Sequence, residues 1–151
     1  MLALVGFVGL CLLVGAADAA IAAGATRAWY LSLIRPPGTP PIWLFGAAWA
    51  VLSVLIGSAG WLVWRRSIST RPLQLWGWQL AASALWVPAF FGLHSLPLTL
   101  AVDVVLLGLI VATMVSFARL RRLAAWLMAT HLGWTTYALY LTAGFWWLNP
   151  P

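Results

Sequence analysis

Lysine and glutamate are absent from this 151-residue sequence, and Asp18 and Asp103 are its only acidic residues. Charged residues make up 7% of the chain, against about 25% in an ordinary soluble domain. Eight arginines and two aspartates cannot cover a water-soluble globule of this size, so the apolar excess needs lipid around it. A single cysteine, Cys11, excludes an intramolecular disulfide and a cysteine-based metal centre. It reads as a small apolar residue facing lipid. No basic segment precedes the first apolar run, which argues against a cleaved signal peptide despite the small residues at Ala17, Ala19 and Ala20. The run continues to about Gly24, long enough to cross a bilayer, and reads as a retained helix.

What is present is hydrophobic: 64% of the residues, gathered into five stretches at about 2–24, 42–64, 72–93, 97–118 and 123–147. Each matches the hydrocarbon thickness at about 1.5 Å rise per residue. The fold class they predict is an all-α integral membrane protein, a bundle of five transmembrane helices in a single domain over 1–151. Between the first two, Arg35-Pro36-Pro37-Gly38-Thr39-Pro40-Pro41 cannot be regular helix, because proline lacks the amide donor. Pro72 suits a helix N-terminus, whereas Pro88 falls inside the third stretch and should kink it.

The arginines sit between the apolar runs. Six lie at 65–71 and 119–122, against two, Arg27 and Arg35, on the opposite side of a five-span chain. That asymmetry predicts a cytoplasmic N-terminus in a bacterial inner membrane and an external Pro-rich loop. The net charge of +6 is thereby accounted for by lipid headgroups, and no nucleic-acid partner is expected.

Twelve tryptophans exceed what an interfacial belt requires. Trp61, Trp64, Trp76, Trp146 and Trp147 lie near helix ends and fit such a belt. Trp49, Trp86 and Trp134 lie deep inside their segments, where an indole needs a partner for its N–H or a ligand to stack on. Phe45, Trp49 and Ser53 share one helix face; so do Ser83, Trp86 and Phe90, and His131, Trp134, Ala138 and Thr142. Stripes that mix aromatics with a few small polar groups also occur in ordinary packing, but they suit a flat apolar ligand.

Asp18, Asp103 and His131 are ionisable groups within apolar segments, and such groups are candidates for function. Asp103 is placed near a helix start, where the dipole favours a carboxylate. His131 reads as a packing histidine in preference to a haem ligand, and His94 as a solvated loop residue. No metal site and no nucleophile–base pair is apparent. Gly6, Gly9, Gly15 and Ala19 offer small residues for close helix approach.

Three blocks carry a family resemblance. The first is Trp29-Tyr30 with Arg35-Pro36, Pro40-Pro41-Ile42-Trp43-Leu44-Phe45 and Trp49. The second is Trp86-Val87-Pro88-Ala89-Phe90-Phe91-Gly92 with Ala101-Val102-Asp103. The third is Ala124-Ala125-Trp126-Leu127 with Leu132-Gly133-Trp134, Ala138, Trp146 and Asn149. In order and spacing, over residues from about 25 to 149, the chain resembles the tryptophan-rich sensory protein, or translocator protein, family.

The resemblance implies a five-helix bundle, commonly a homodimer in membrane lipid, that binds tetrapyrroles such as porphyrin or haem. No obligatory cofactor is implied. It places ligand-binding positions at Trp29, Tyr30, Pro40, Phe45, Trp49, Ser83, Trp86, Phe90, Trp134 and Ala138, and assigns no catalytic residue. The expected function is that of a tetrapyrrole sensor or carrier. The alternatives are light-dependent porphyrin degradation through the paired indoles of Trp49 and Trp134 and transport of a small lipophile or sterol, the latter disfavoured by an odd helix count without an inverted repeat. Ser83 and Thr142 stand where the family pattern has asparagine, and Thr130-His131 where it has Pro-Tyr.

Overall fold

The computed structural model describes residues 1–23, 27–66 and 70–150, and among them every regular element is helical. Gly24, taken above as the end of the first run, lies outside the described residues, as does the side chain of Arg27. Helix α1 covers Leu2–Ala23, α2 Arg27–Ser32, α3 Ile42–Trp64, α4 Thr70–Ala84, α5 Leu96–Ala118 and α6 Arg122–Leu148. Three of these, α1, α3 and α5, are long and apolar enough to cross a membrane by length and composition. Large apolar side chains such as Val104, Val105, Val111, Val115 and Trp126 are exposed on the outside, as a lipid-facing surface requires.

Helix α5 packs between α4 and α6, and α3 between α1 and α6. Contacts of α1 with α4 and with the segment after it close the ring in the order α1, α3, α6, α5, α4. The third apolar stretch is not one smooth helix. After Ala84 it turns at Leu85 and runs into a π-turn, Pro88–Gly92. Pro88 has no N–H to give, so the backbone rewinds: Leu93 N donates to Pro88 O across five residues at 2.8 Å. Ser95 caps α5, its hydroxyl accepting from Leu98 N at 3.4 Å.

The two halves of the bundle differ. Toward the 65–66 and 119–122 arginines the core is aliphatic, with Leu52, Ile56, Val63, Leu106, Ile110, Phe117 and Met128 buried together. Toward α2 it is aromatic, built on Tyr30, Phe90, Leu96, Leu141 and Phe145.

Several expectations need correction. Cys11 faces inward, 2% exposed against α3, with its carbonyl accepting from Ser53 Oγ at 3.3 Å. Trp76 is buried as well, not interfacial, and its indole N–H donates to Ile56 O at 3.0 Å. Helices α1 and α3 do approach closely, but not through Gly6 or Gly9, where an added Cβ would meet nothing. The contact is made by Gly57, whose Cβ would lie 2.6 Å from the Val8 backbone. Asp103 is not at a helix start: it sits two turns into α5 and is fully buried, beyond the reach of the terminal dipole.

Candidate functional site

The Pro-rich segment is tied across the end of the bundle by α6. Asn149 donates from Nδ2 to Ile34 O at 3.0 Å and accepts from Ile34 N at 2.9 Å, a two-way clamp. One helical face below, Tyr137 OH donates to Gly38 O at 2.6 Å and Tyr140 OH to Pro37 O at 3.1 Å. Gly38 adopts φ +83°, a conformation glycine reaches without strain, and Gly144 leaves room for Pro36, which an added Cβ would meet at 2.6 Å. The segment thus forms a roof, held by backbone carbonyls that water would otherwise have to satisfy.

Beneath it α2 turns Tyr30 inward, where it is 5% exposed and packs against Phe90, Phe91 and Phe145. Arg35 stacks over the outer side of this ring at 5.1 Å. Burial raises the Tyr30 phenol above its ordinary 10.0, and the Arg35 charge acts against that rise.

Under the roof lies a cavity of about 480 Å³. This is the size range of sites that enclose small organic ligands. Its aromatic walls are Phe45 and Trp49 from α3, Trp86 from the end of the third stretch, Phe90 and Phe91 from the π-turn, and Phe145 from α6. Trp86 and Phe90, four residues apart across the start of the π-turn, stack with planes 6° apart and centroids 5.1 Å apart, so Phe90 backs the indole. The opposite wall is small: Gly15, Ala16, Ala19, Ala22 and Ala23 of α1. Polar lining is sparse and consists of Asp18, Tyr30, Ser53, Trp86 and Thr142.

Of the ten positions assigned from sequence, Tyr30, Phe45, Trp49, Trp86, Phe90 and Ala138 line this cavity. Four do not. Trp29 stands behind Phe90 at 5.3 Å and stacks on His94 at 4.3 Å; Pro40 belongs to the roof. Ser83 is buried at 2% exposure without lining the cavity. Trp134 sits edge-on to Phe45 at 5.8 Å and borders a second, small void of about 20 Å³. That void shares Phe45, Trp49, Trp86 and Ala138 with the main cavity and is closed by Asp103, Leu106 and Thr135. The Asp103 carboxylate approaches Trp86 and Thr142 without meeting hydrogen-bond geometry. His131 is fully buried edge-on to Trp49 at 5.8 Å.

The α1 wall was missed. Its signal was present as Gly15, Ala19 and Ala22, a small-residue stripe at helical spacing. Small residues reveal a cavity only when something bulky fails to fill the space opposite, and that is a tertiary fact.

An apolar helical bundle with an aromatic-lined cavity at one end is the architecture of an integral membrane protein with an internal hollow. The TspO/MBR family model matches residues 7–148. The chain is 36% identical to the tryptophan-rich protein TspO of Chlorobaculum tepidum, over 95% of this chain and 93% of that one. It is 35% identical to the protein CrtK of Rhodobacter capsulatus, over 93% and 88%. The translocator protein of Bos taurus is 32% identical over 94% and 87%. The chain belongs to the TspO/MBR family.

Proposed function

We propose that this protein binds a tetrapyrrole, porphyrin or haem, inside the bundle, and acts as a membrane sensor or carrier for it. The observation that carries this reading is an aromatic face, Phe45, Trp49, Trp86 and Phe90, lining the same cavity of about 480 Å³ as the small residues of α1. A planar macrocycle gains dispersion and apolar burial against such a face, and a wall of alanine and glycine leaves it room. Relatives named tryptophan-rich sensory protein and translocator protein support a role in sensing or moving a ligand.

The reading includes five membrane crossings. Helix α4 by itself is short for a span and α6 is too polar to qualify by hydropathy, but their polar groups, Gln79, Ser83, His131, Thr135 and Thr142, are buried inside the bundle, away from lipid. The stretch from Thr70 to Gly92, α4 with its π-turn, then has the length of a span that α4 alone lacks.

Light-dependent breakdown of the bound porphyrin is the second reading, favoured by the placement of Trp49 and Trp86 in the cavity wall. Titration of the protein in lipid nanodiscs with protoporphyrin, in darkness and under illumination, separates the two. Saturable binding with an unchanged porphyrin spectrum in both conditions supports the sensor or carrier. Loss of the porphyrin band under light, abolished by Trp→Phe substitution while binding persists, supports degradation. Partition no greater than into empty nanodiscs contradicts both.

A further inference from the structure

Asp18 is the one carboxylate that lines the main cavity, and nothing in the proposed binding of a flat apolar molecule uses it. It sits on α1 among the alanines and Gly15 of the small-residue wall, so its side chain borders open space where its neighbours leave the cavity wide. Among the described residues, no basic side chain lines the cavity, and none contributes to the surroundings of Asp18. A carboxylate half-buried in an apolar site at membrane depth is costly unless it meets a donor or a cation. The same cavity is lined by Phe45, Trp49 and Trp86, aromatic rings of the kind that attract positive charge.

We infer that Asp18 sets the charge preference of the cavity: it favours planar ligands that present an ammonium or another N–H donor to α1, and excludes those that present a carboxylate there. Exclusion by like charge is as much a part of specificity as attraction. The inference rests on the proposal that the cavity is a ligand site. For a ligand that carries carboxylates, it fixes the orientation: they turn away from α1, and the donor-bearing part of the molecule faces it.

The test uses three probes that differ in one substituent: anthracenemethylamine as its ammonium, anthracenemethanol and anthracenecarboxylate. Each is titrated into the protein in zwitterionic lipid nanodiscs, read by quenching of tryptophan emission, with empty nanodiscs subtracted for partition. The ammonium binds tightest and the carboxylate weakest, with about tenfold or more between them, the range of a hydrogen bond to a charged group. Asp18→Asn brings that ratio close to one while affinity for the alcohol is kept, and Asp18→Ser does the same if the first variant folds poorly. Trp49→Ala weakens all three probes together. Equal affinities for the three probes in the wild-type protein, or a ratio that survives both Asp18 substitutions, overturns the inference alone. Failure of all three to bind saturably removes the ligand site itself, and the inference with it.

Discussion

Tryptophan in this chain serves three distinct purposes, separated by what each indole N–H and ring face meets. Trp76 is structural: its N–H satisfies Ile56 O and its ring packs on Phe7 at 5.2 Å. Trp76→Phe should lower stability by about 1–3 kcal/mol, the cost of losing a buried hydrogen bond and leaving a void where the larger ring packed, whereas Trp64→Phe at an exposed position should change it little. Thermal unfolding of both variants in one detergent checks this, and equal stabilities would contradict it. Trp49 and Trp86 instead face the cavity. Sequence position alone could not sort these classes. Trp76 lies near the start of its apolar run and so looked interfacial, yet the start of α4 is packed beneath α1 and α3. Ser83 shows the same limit: it shares a helix face with Trp86 and Phe90 but is buried outside the cavity, because the turn at Leu85 breaks the register of that face.

At the scale of elements, the long helices lie where the apolar runs lie, since about twenty lipid-compatible residues leave few alternatives. What the runs could not show is how α1 meets α3. Gly57, not the glycines of α1, lets the backbones touch, and Gly57→Ala should cost about 1–3 kcal/mol through overpacking against the Val8 backbone. Gly9→Ala, where an added Cβ meets nothing, should be neutral. Unfolding in detergent distinguishes the pair. The roof is a second element no periodicity announces. The proline run was legible as non-helical, but α2 and the Tyr137, Tyr140 and Asn149 hydrogen bonds that hold the roof span more than ninety residues of sequence. Tyr137→Phe combined with Asn149→Ala should speed amide hydrogen exchange at Ile34 and Thr39, the roof amides that donate hydrogen bonds, and raise the rate of ligand release, with little change in the packing of the arginine-side core. Unaltered exchange at those amides would show that the roof is held by packing instead.

Across the whole molecule, a closely packed, largely aliphatic half is joined to an aromatic half that holds the cavity. The exposed arginines flank the packed half, and the roof lies at the end of the other. Five crossings and the positive-inside bias predict a cytoplasmic side shared by the N-terminus and the Arg65–Arg66 and Arg119–Arg122 turns, so a reporter fused after Pro150 should read as external. A cytoplasmic signal from that fusion would reverse the orientation or the count. The family resemblance in sequence located the hollow half through Phe45, Trp49, Trp86, Phe90 and Ala138, but it could not supply the α1 wall. The central claim, that a tetrapyrrole occupies the cavity, is tested most directly by protoporphyrin titration of four proteins in nanodiscs: wild type, Trp49→Ala, Trp134→Ala and Trp147→Phe. The account predicts saturable binding that Trp49→Ala weakens by about 1–3 kcal/mol, as loss of an aromatic anchor should. Trp134→Ala, one layer behind the wall, should weaken it less, and Trp147→Phe not at all. Equal losses from all three substitutions, with folding intact, would contradict it.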